Sequence, residues 1–404
     1  MTELLQLSDE QRRTIFNQVG FLEGLSPEVV EKDWWVTLTL KAVFETKYAP
    51  HLLFKGGTSL SKCWKLIKRF SEDIDLAIDR EYLGFAGDLS NKQIHNLKKT
   101  ACSFTSNDLK SAIEERLLQL DVPVNMITLE AEPVPDTFPD KDPQVLRLIY
   151  PSLYEPIDYI PAIVKIEVSG RSLKEPWSEC FIQSFVSDHL PGQQFSGKPF
   201  KVFAVEAKRT FLEKIFLLHE EFLKLEDIRH LRMSRHLHDL IKLMDTIHGW
   251  EAITDTALYA SIIIHRSKYN KLKAVDYNTH AVATINFIPP AAIRDEYAKD
   301  YEIMRERMIN EDAIKFDELI NRLKELSERL RSPVDFKSII DSAVKNDPKN
   351  SSNPNFMIEG STIIIPVIYP SITDSLNGNH SQYEVTFIRE NGGLIFKTLR
   401  KLKP

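Results

Sequence analysis

Two acids spaced two apart, Asp73 and Asp75, lie in a run from Ser71 to Ile78 whose polar and apolar residues alternate as in a half-buried strand. Residues two apart on a strand share a face, so both carboxylates point one way while Ile74, Leu76 and Ile78 point into the core. Like charges that close are costly unless something neutralises them. A hard divalent cation with oxygen preference, such as Mg²⁺, meets that need. Ahead of the acids, Gly56-Gly57 joins the apolar Leu52-Leu53-Phe54 to a helical pattern over Thr58–Ile67, with Leu60, Trp64 and Ile67 along one side. Such a turn lets the backbone approach a phosphate, whose charge the N–H groups of Thr58 and Ser59 and the helix dipole would meet. Lys62, one turn inside the helix, is placed to contact a triphosphate, and Lys65, Lys68 and Arg69 extend the basic group. Ser71 reads as a strand cap, with a phosphate hydrogen bond as its other use. A phosphate cradle followed by metal-binding acids is what phosphoryl or nucleotidyl transfer needs.

The elements that must carry these residues follow from caps and periodicity. Ser26-Pro27-Glu28 opens a helix that runs to about Thr46, with Ser as N-cap and Pro at the first helical position. After the Asp-x-Asp strand comes a polar helical stretch, Asn91 to Leu120. Strand patterns follow over Val124–Glu130, Leu146–Tyr150, Ile163–Ser169, Cys180–Val186 and Lys201–Val205. From Glu206 the pattern turns helical: Glu206–Lys224, Ser234–His248, Thr254–His265 and a charged segment from Tyr301 to Leu330. A polar linker, Lys345 to Asn355, precedes Ser361–Pro370, a candidate edge strand whose pairing Pro366 and Pro370 would limit. Two alternating runs around Asn391-Gly392-Gly393 then signal a hairpin. The expected fold is α+β: a catalytic mixed sheet with helices over 1–205, a helical domain over 206–331, and a small β-rich appendage over 332–404.

Composition excludes several classes. The chain has 404 residues, 43% hydrophobic and 27% charged, enough to fill a sizeable core in each of two or three domains. Three cysteines without a CxxC pattern suggest neither a thiolate metal site nor a disulfide framework, and point to a reducing cytoplasm. The N-terminus carries charges where a signal peptide needs an apolar core, and no stretch is long and apolar enough for a bilayer. With 52 Lys plus Arg against 58 Asp plus Glu, a net charge of −6 disfavours whole-molecule attraction to nucleic acid, so an RNA site must be a local patch. The run Arg229 to Lys242, with Arg229, Arg232, Arg235 and Lys242, is the candidate.

The order strand, Gly-Gly-Thr-Ser, helix, Ser-Glu-Asp-Ile-Asp resembles the polymerase β-like nucleotidyltransferases, specifically the AbiEii abortive-infection toxins and their tRNA-modifying MenT relatives. Thr210–Glu220, Ser234–Leu243 and Asp300–Met304 fit the same family, extending the resemblance over about residues 25–330. It implies a two-Mg²⁺ site with Asp73, Asp75 and a third acid on a later strand. Glu167 is the best candidate for that acid, sharing a strand face with Lys165 and Ser169, and Asp158 is a weaker rival. It further implies that Lys214 contacts a nucleotide phosphate, that Asp239 lies near the nucleotide, and that Ser71 could be self-modified. The implied substrates are an NTP and a tRNA 3′ end, and the implied partner is an antitoxin that need not touch the toxin. The other readings are nucleotidyl transfer to a protein hydroxyl, or a non-catalytic nucleotide-sensing module of the same fold.

Overall fold

The computed structural model describes residues 1–135, 140–155, 161–172, 176–272, 275–309 and 313–331, and the backbone of 357–359, 362–369, 381–390 and 393–401. Asp158 and the linker Lys345–Asn355 lie outside the described residues. The chain divides into two compact units: Met1–Glu206 with Glu302–Ala313, and Ala207–Tyr301 with Ile314–Pro404.

In the first unit, α1 (Asp9–Glu23) begins with a capping box between Ser8 and Gln11, and α2 (Pro27–Phe44) starts at Ser26-Pro27 as its capping pattern predicts. A seven-stranded mixed sheet takes the order β3 (Thr128–Ala131), β4 (Gln144–Ile149), β5 (Ile163–Ser169), β2 (Ile74–Ile78), β1 (Leu52–Lys55), β7 (Phe200–Val205), β6 (Trp177–Ile182). The pairs β2/β5 and β1/β7 are parallel and the others antiparallel. Leu52, Phe54, Ile74, Leu76, Ile78, Val164, Ile166 and Val168 share one core cluster with α2, α4 (Asn91–Phe104) and α5 (Lys110–Gln119). A smaller cluster, Leu53, Ala77 and Val205, packs separately.

Helix α2 is buried on nearly every side: 15 of its 18 residues are buried. Three consecutive charges are among them, and each is met by a different part of the unit. Glu31 accepts from Ser152 Oγ and Leu153 N. Lys32 pairs with Glu72 and donates to Pro161 O at 2.8 Å. Asp33 pairs with Lys62 at 2.6 Å and accepts from Phe185 N at 2.9 Å. Burial raises the carboxyl pKa of both Glu31 and Asp33, against the lowering effect of these partners.

Several expected boundaries move. The helix expected over Thr58–Ile67 is α3 (Gly56–Lys62), already helical at the glycines and ended before Lys65, which takes a left-handed φ of 54°. The Asp-x-Asp strand begins at Ile74, so Asp73 precedes it by one residue. The strand expected over Cys180–Val186 lies earlier, because Ser184 caps a new helix, α6 (Phe185–His189).

In the second unit, α7 (Ala207–Phe222) carries Glu220, held by Arg266 of α10 (Thr256–Tyr269) and by His280. The helix expected over Ser234–His248 is two, α8 (Ser234–Leu243) and α9 (Ile247–Thr254), because Thr246 caps the second by accepting from Gly249 N. The charged segment 301–330 is likewise two helices, α11 (Arg294–Arg307) and α12 (Phe316–Arg331). At the C-terminus, β8 (Met357–Glu359), β9 (Thr362–Tyr369), β10 (Ser381–Glu390) and β11 (Gly393–Lys401) form an antiparallel sheet in the order β11-β10-β9-β8. Glu390 pairs with Gly393, as the expected hairpin requires. Contrary to expectation, β9 is not an edge strand, since it pairs on both sides. Among the described residues β8 covers only Thr362–Ile364, so Pro366 falls where β9 has a single neighbour and its missing N–H is tolerated.

Two stability outcomes follow. Lys32→Met breaks the buried ion pair with Glu72 and should cost about 3–5 kcal/mol in urea unfolding of the first unit; a loss within the surface-substitution range would show that the pair is not needed. Burial pushes the Glu220 carboxyl up, but hydrogen bonds from Arg266 and His280 outweigh it and hold the pKa below 4.5. The resulting stability is present above pH 4.5 and is lost as pH falls through the folded value. Wild type should therefore exceed Glu220→Gln in stability at neutral pH, and the gap should shrink in acid; a pH-independent gap would contradict this.

Candidate active site

The parallel pairing of β2 with β5 sets Asp75 opposite Glu167, and the antiparallel pairing of β1 with β2 sets Lys55 on the other side of Asp75. Neighbouring strands lie about 4.8 Å apart, so two carboxylates and an ammonium stem form one row across the sheet. Burial alternates along both strands: Asp73, Asp75, Lys165 and Glu167 are half-buried, whereas Ile74, Leu76, Val164 and Ile166 are fully buried. Lys55 was not among the expected site residues. Its Nζ donates to Ser172 Oγ at 3.0 Å.

At Gly56 the φ is +80°, and a Cβ there would collide with the Asp75 carboxylate. The glycine thus serves two ends at once, a left-handed turn and room for the acid. A Cβ at Gly57 would lie 2.8 Å from Arg69 Nη2 and from Ser71 Oγ. Thr58 Oγ1 donates to Asp73 O at 2.6 Å and lies 3.0 Å from Ser71 Oγ. These contacts bind α3 to the segment that carries the acids, so the hydroxyls of Thr58 and Ser71 position Asp73. Helix α3 is under two turns long, and its N–H groups rather than a long macrodipole would face a phosphate.

Buried Arg69 donates to Phe70 O and bridges to Ile309, while Phe70 N donates to Met308 O, so residues 308–309 brace the segment from the other end. Lys62 is placed differently from the expectation. Its ammonium is buried, held by Asp33 Oδ1 and Gln183 O, and lies over the Phe185 ring. The ammonium is thus engaged by an internal carboxylate. Lys65 and Lys68 are exposed.

The donor set Asp73, Asp75 and Glu167 offers only carboxylate oxygens, which suits a hard divalent ion. Among the described residues no three His, Cys, Asp or Glu side chains are placed to share a metal. Mg²⁺ is commonly held by one or two carboxylates plus substrate phosphates, and the in-register Asp75 and Glu167 fit that arrangement.

In the second unit, Lys214 and Asp239 meet: their ion pair spans 2.9 Å, with side chains 7% and 0% exposed. Lys214 Nζ also lies 3.4 Å from His236 Nδ1. Asp300 accepts from Arg232 N, Ser234 N and Ser234 Oγ, so its carboxylate caps α8, the helix that carries Asp239. The basic run does not form one solvated stripe. Arg229 is tied to Glu221 at 2.7 Å and Arg232 enters the Asp300 cap, while Arg235 and Lys242 are half-buried on α8.

Sequence reasoning missed Lys32, Asp33 and Glu72. The available signal was the three consecutive charges Glu31-Lys32-Asp33 at the start of a mostly apolar helix, where unpaired charge is rarely buried.

A mixed sheet with paired acids in register beside a glycine turn is the arrangement that nucleotidyl transfer needs. A family model described as Nucleotidyl transferase AbiEii toxin, Type IV TA system, matches residues 39–322. The chain belongs to that family: it is a nucleotidyltransferase toxin of a type IV toxin–antitoxin system. A search of curated proteins yields no match. Among the described residues no helix is long and apolar enough to cross a membrane.

If the Lys214–Asp239 pair is a coupled buried unit, Lys214→Met and Asp239→Leu should each destabilise by about 3–5 kcal/mol, while the double variant recovers most of that loss. Additive losses in urea unfolding would refute the coupling.

Proposed function

We propose that the protein transfers a nucleotide from an NTP to an RNA acceptor, the 3′ end of tRNA, blocking its aminoacylation until an antitoxin intervenes. The observation that carries the reading is the register that sets Asp75 beside Glu167, with the Gly56 turn packed against the Asp75 carboxylate.

Asp75 and Glu167, in register, would hold Mg²⁺ ions together with the substrate's phosphates, and Asp73 is the further acid that the family resemblance implies. When bound, these ions would lower the pKa of the attacking hydroxyl and neutralise charge on the leaving pyrophosphate. The chain's own residues do the positioning. Backbone N–H groups of Gly57, Thr58 and Ser59 would meet triphosphate oxygens without a side chain intervening at Gly56 or Gly57. Thr58, through Asp73 O, fixes the distance between that backbone and the acids. Lys214 and Asp239 are assigned to the nucleotide by family resemblance. Asp239 holds the Lys214 ammonium in place. The basic run Arg229, Arg232, Arg235 and Lys242 is assigned to the RNA backbone; the Arg229 side chain is 62% exposed beside Glu221.

The purified protein should label total tRNA when incubated with Mg²⁺ and each α-labelled NTP in turn, and Asp75→Ala should abolish the label. Label on protein instead of RNA would replace the acceptor, and nucleotide binding without any label would replace catalysis by sensing. Chelation with EDTA should remove the activity and Mg²⁺ should restore it.

A further inference from the structure

The strands that carry the acids have a second end. His51 immediately precedes β1, and Asp79, immediately after β2, donates its N–H to His51 O at 2.8 Å. The pairing of Leu52 with Ile78 and of Lys55 with Asp75 places this end about 10–13 Å along the strands from the catalytic row. Here the ring of His51 lies parallel to that of Tyr82, with centroids 3.9 Å apart. Tyr48 and Phe104 pack edge-on around Tyr82 at 6.1 and 6.0 Å and against each other at 5.0 Å. Tyr48 and Phe104 are buried, but Tyr82 is 43% exposed.

Tyr48, Tyr82 and Phe104 line a cleft of about 590 Å³ together with Lys99, Thr100, Ser103 and Asp108, and His51 backs Tyr82 from outside that lining. The volume is in the range that small-molecule sites occupy. A second cleft of about 490 Å³ shares Tyr48 and Asp108 and continues along Lys47, whose ammonium lies 5.1 Å from the Tyr48 ring centroid. The wall between α4 and α5 is a single π-helical turn, Thr105–Leu109, which carries Asp108. Insertions of this kind often occur at functional sites. Lys47, Lys99 and Asp108 are all exposed.

We propose that this cleft is a second nucleotide site, which stacks a base on Tyr82, pairs the base's N–H groups with Asp108, and meets its phosphate with Lys99 and Lys47. An exposed ring backed by a parallel ring is a stacking platform that every base can use. Two lysines beside it supply local positive charge in a protein whose net charge is −6. A carboxylate in the same cleft disfavours a bare anion and suits a ligand that carries both donors and a phosphate. The ligand is either a free mononucleotide or an unpaired nucleotide of the RNA acceptor; the second source rests on the nucleotidyl transfer reading above.

The test uses full-length protein carrying Asp75→Ala, in EDTA, so that binding is read without turnover. AMP and UMP are titrated by calorimetry and a short unstructured RNA by fluorescence anisotropy, each with and without Tyr82→Leu or Lys99→Gln. Each substitution should weaken binding about fivefold or more. Lys99→Gln, at an exposed position, should leave the melting temperature unchanged and so separates lost binding from lost folding. Weakened mononucleotide binding identifies a free-nucleotide site, and weakening confined to RNA identifies an acceptor contact. Unchanged affinity for all ligands in both variants overturns the proposal. Absence of label transfer in the wild-type assay would count against the catalytic reading alone, because this measurement does not depend on turnover.

Discussion

The first unit depends on neutralising three charges buried side by side on α2. Glu31, Lys32 and Asp33 point to different parts of the unit because successive residues on a helix are about 100° apart. Each therefore finds a different partner: the segment at Ser152-Leu153, the acid-bearing segment at Glu72, and the pair Lys62 and Phe185 N. Removing charge from water costs several kcal/mol per ion unless a partner and hydrogen bonds replace the lost hydration. The helix thus accepts only the arrangement in which all three segments are in place, which ties the position of Asp73 to the packing of α2 through the adjacent Glu72.

Around that anchor the site is held by short links rather than by a rigid loop. Thr58 joins α3 to Asp73 O, Ser71 and Arg69 fill the space over Gly57, and Phe70 N reaches Met308 O. The glycines are required by crowding as much as by backbone freedom, since a side chain at either position would meet Asp75, Arg69 or Ser71. The same β1/β2 ladder that spaces Lys55 from Asp75 also fixes His51 and the segment leading to Tyr82 at its other end, so one pair of strands organises both the acids and the aromatic cleft.

The second unit handles its charges in the same way. Lys214 and Asp239 come from helices separated in sequence and are almost fully buried together, with Asp300 holding the first turn of the helix that bears Asp239. Three stretches that the sequence marked separately as family motifs are thus linked: Thr210–Glu220 supplies the lysine, Ser234–Leu243 the aspartate, and Asp300–Met304 the cap. The Glu220, Arg266 and His280 cluster fastens α7 to α10 by similar means.

The sequence by itself determined what depends on local patterning. The alternation around Asp73 and Asp75, the Ser-Pro start of α2, the limits of β5 and the hairpin pairing of Glu390 with Gly393 were all legible, because strand period, capping and turn chemistry are set by near neighbours. Boundaries shifted where a cap or a left-handed residue interrupted a continuous pattern, as at Thr246, Ser184 and Lys65. Partner choice was decided only by the tertiary structure. The sequence marks Lys62, Lys214 and Asp239 as candidate site residues but not that Asp33 holds the Lys62 ammonium or that Lys214 and Asp239 form one ion pair. Charge carries no sequence period, and a buried charge selects its partner by three-dimensional proximity in a medium where leaving it alone is costly.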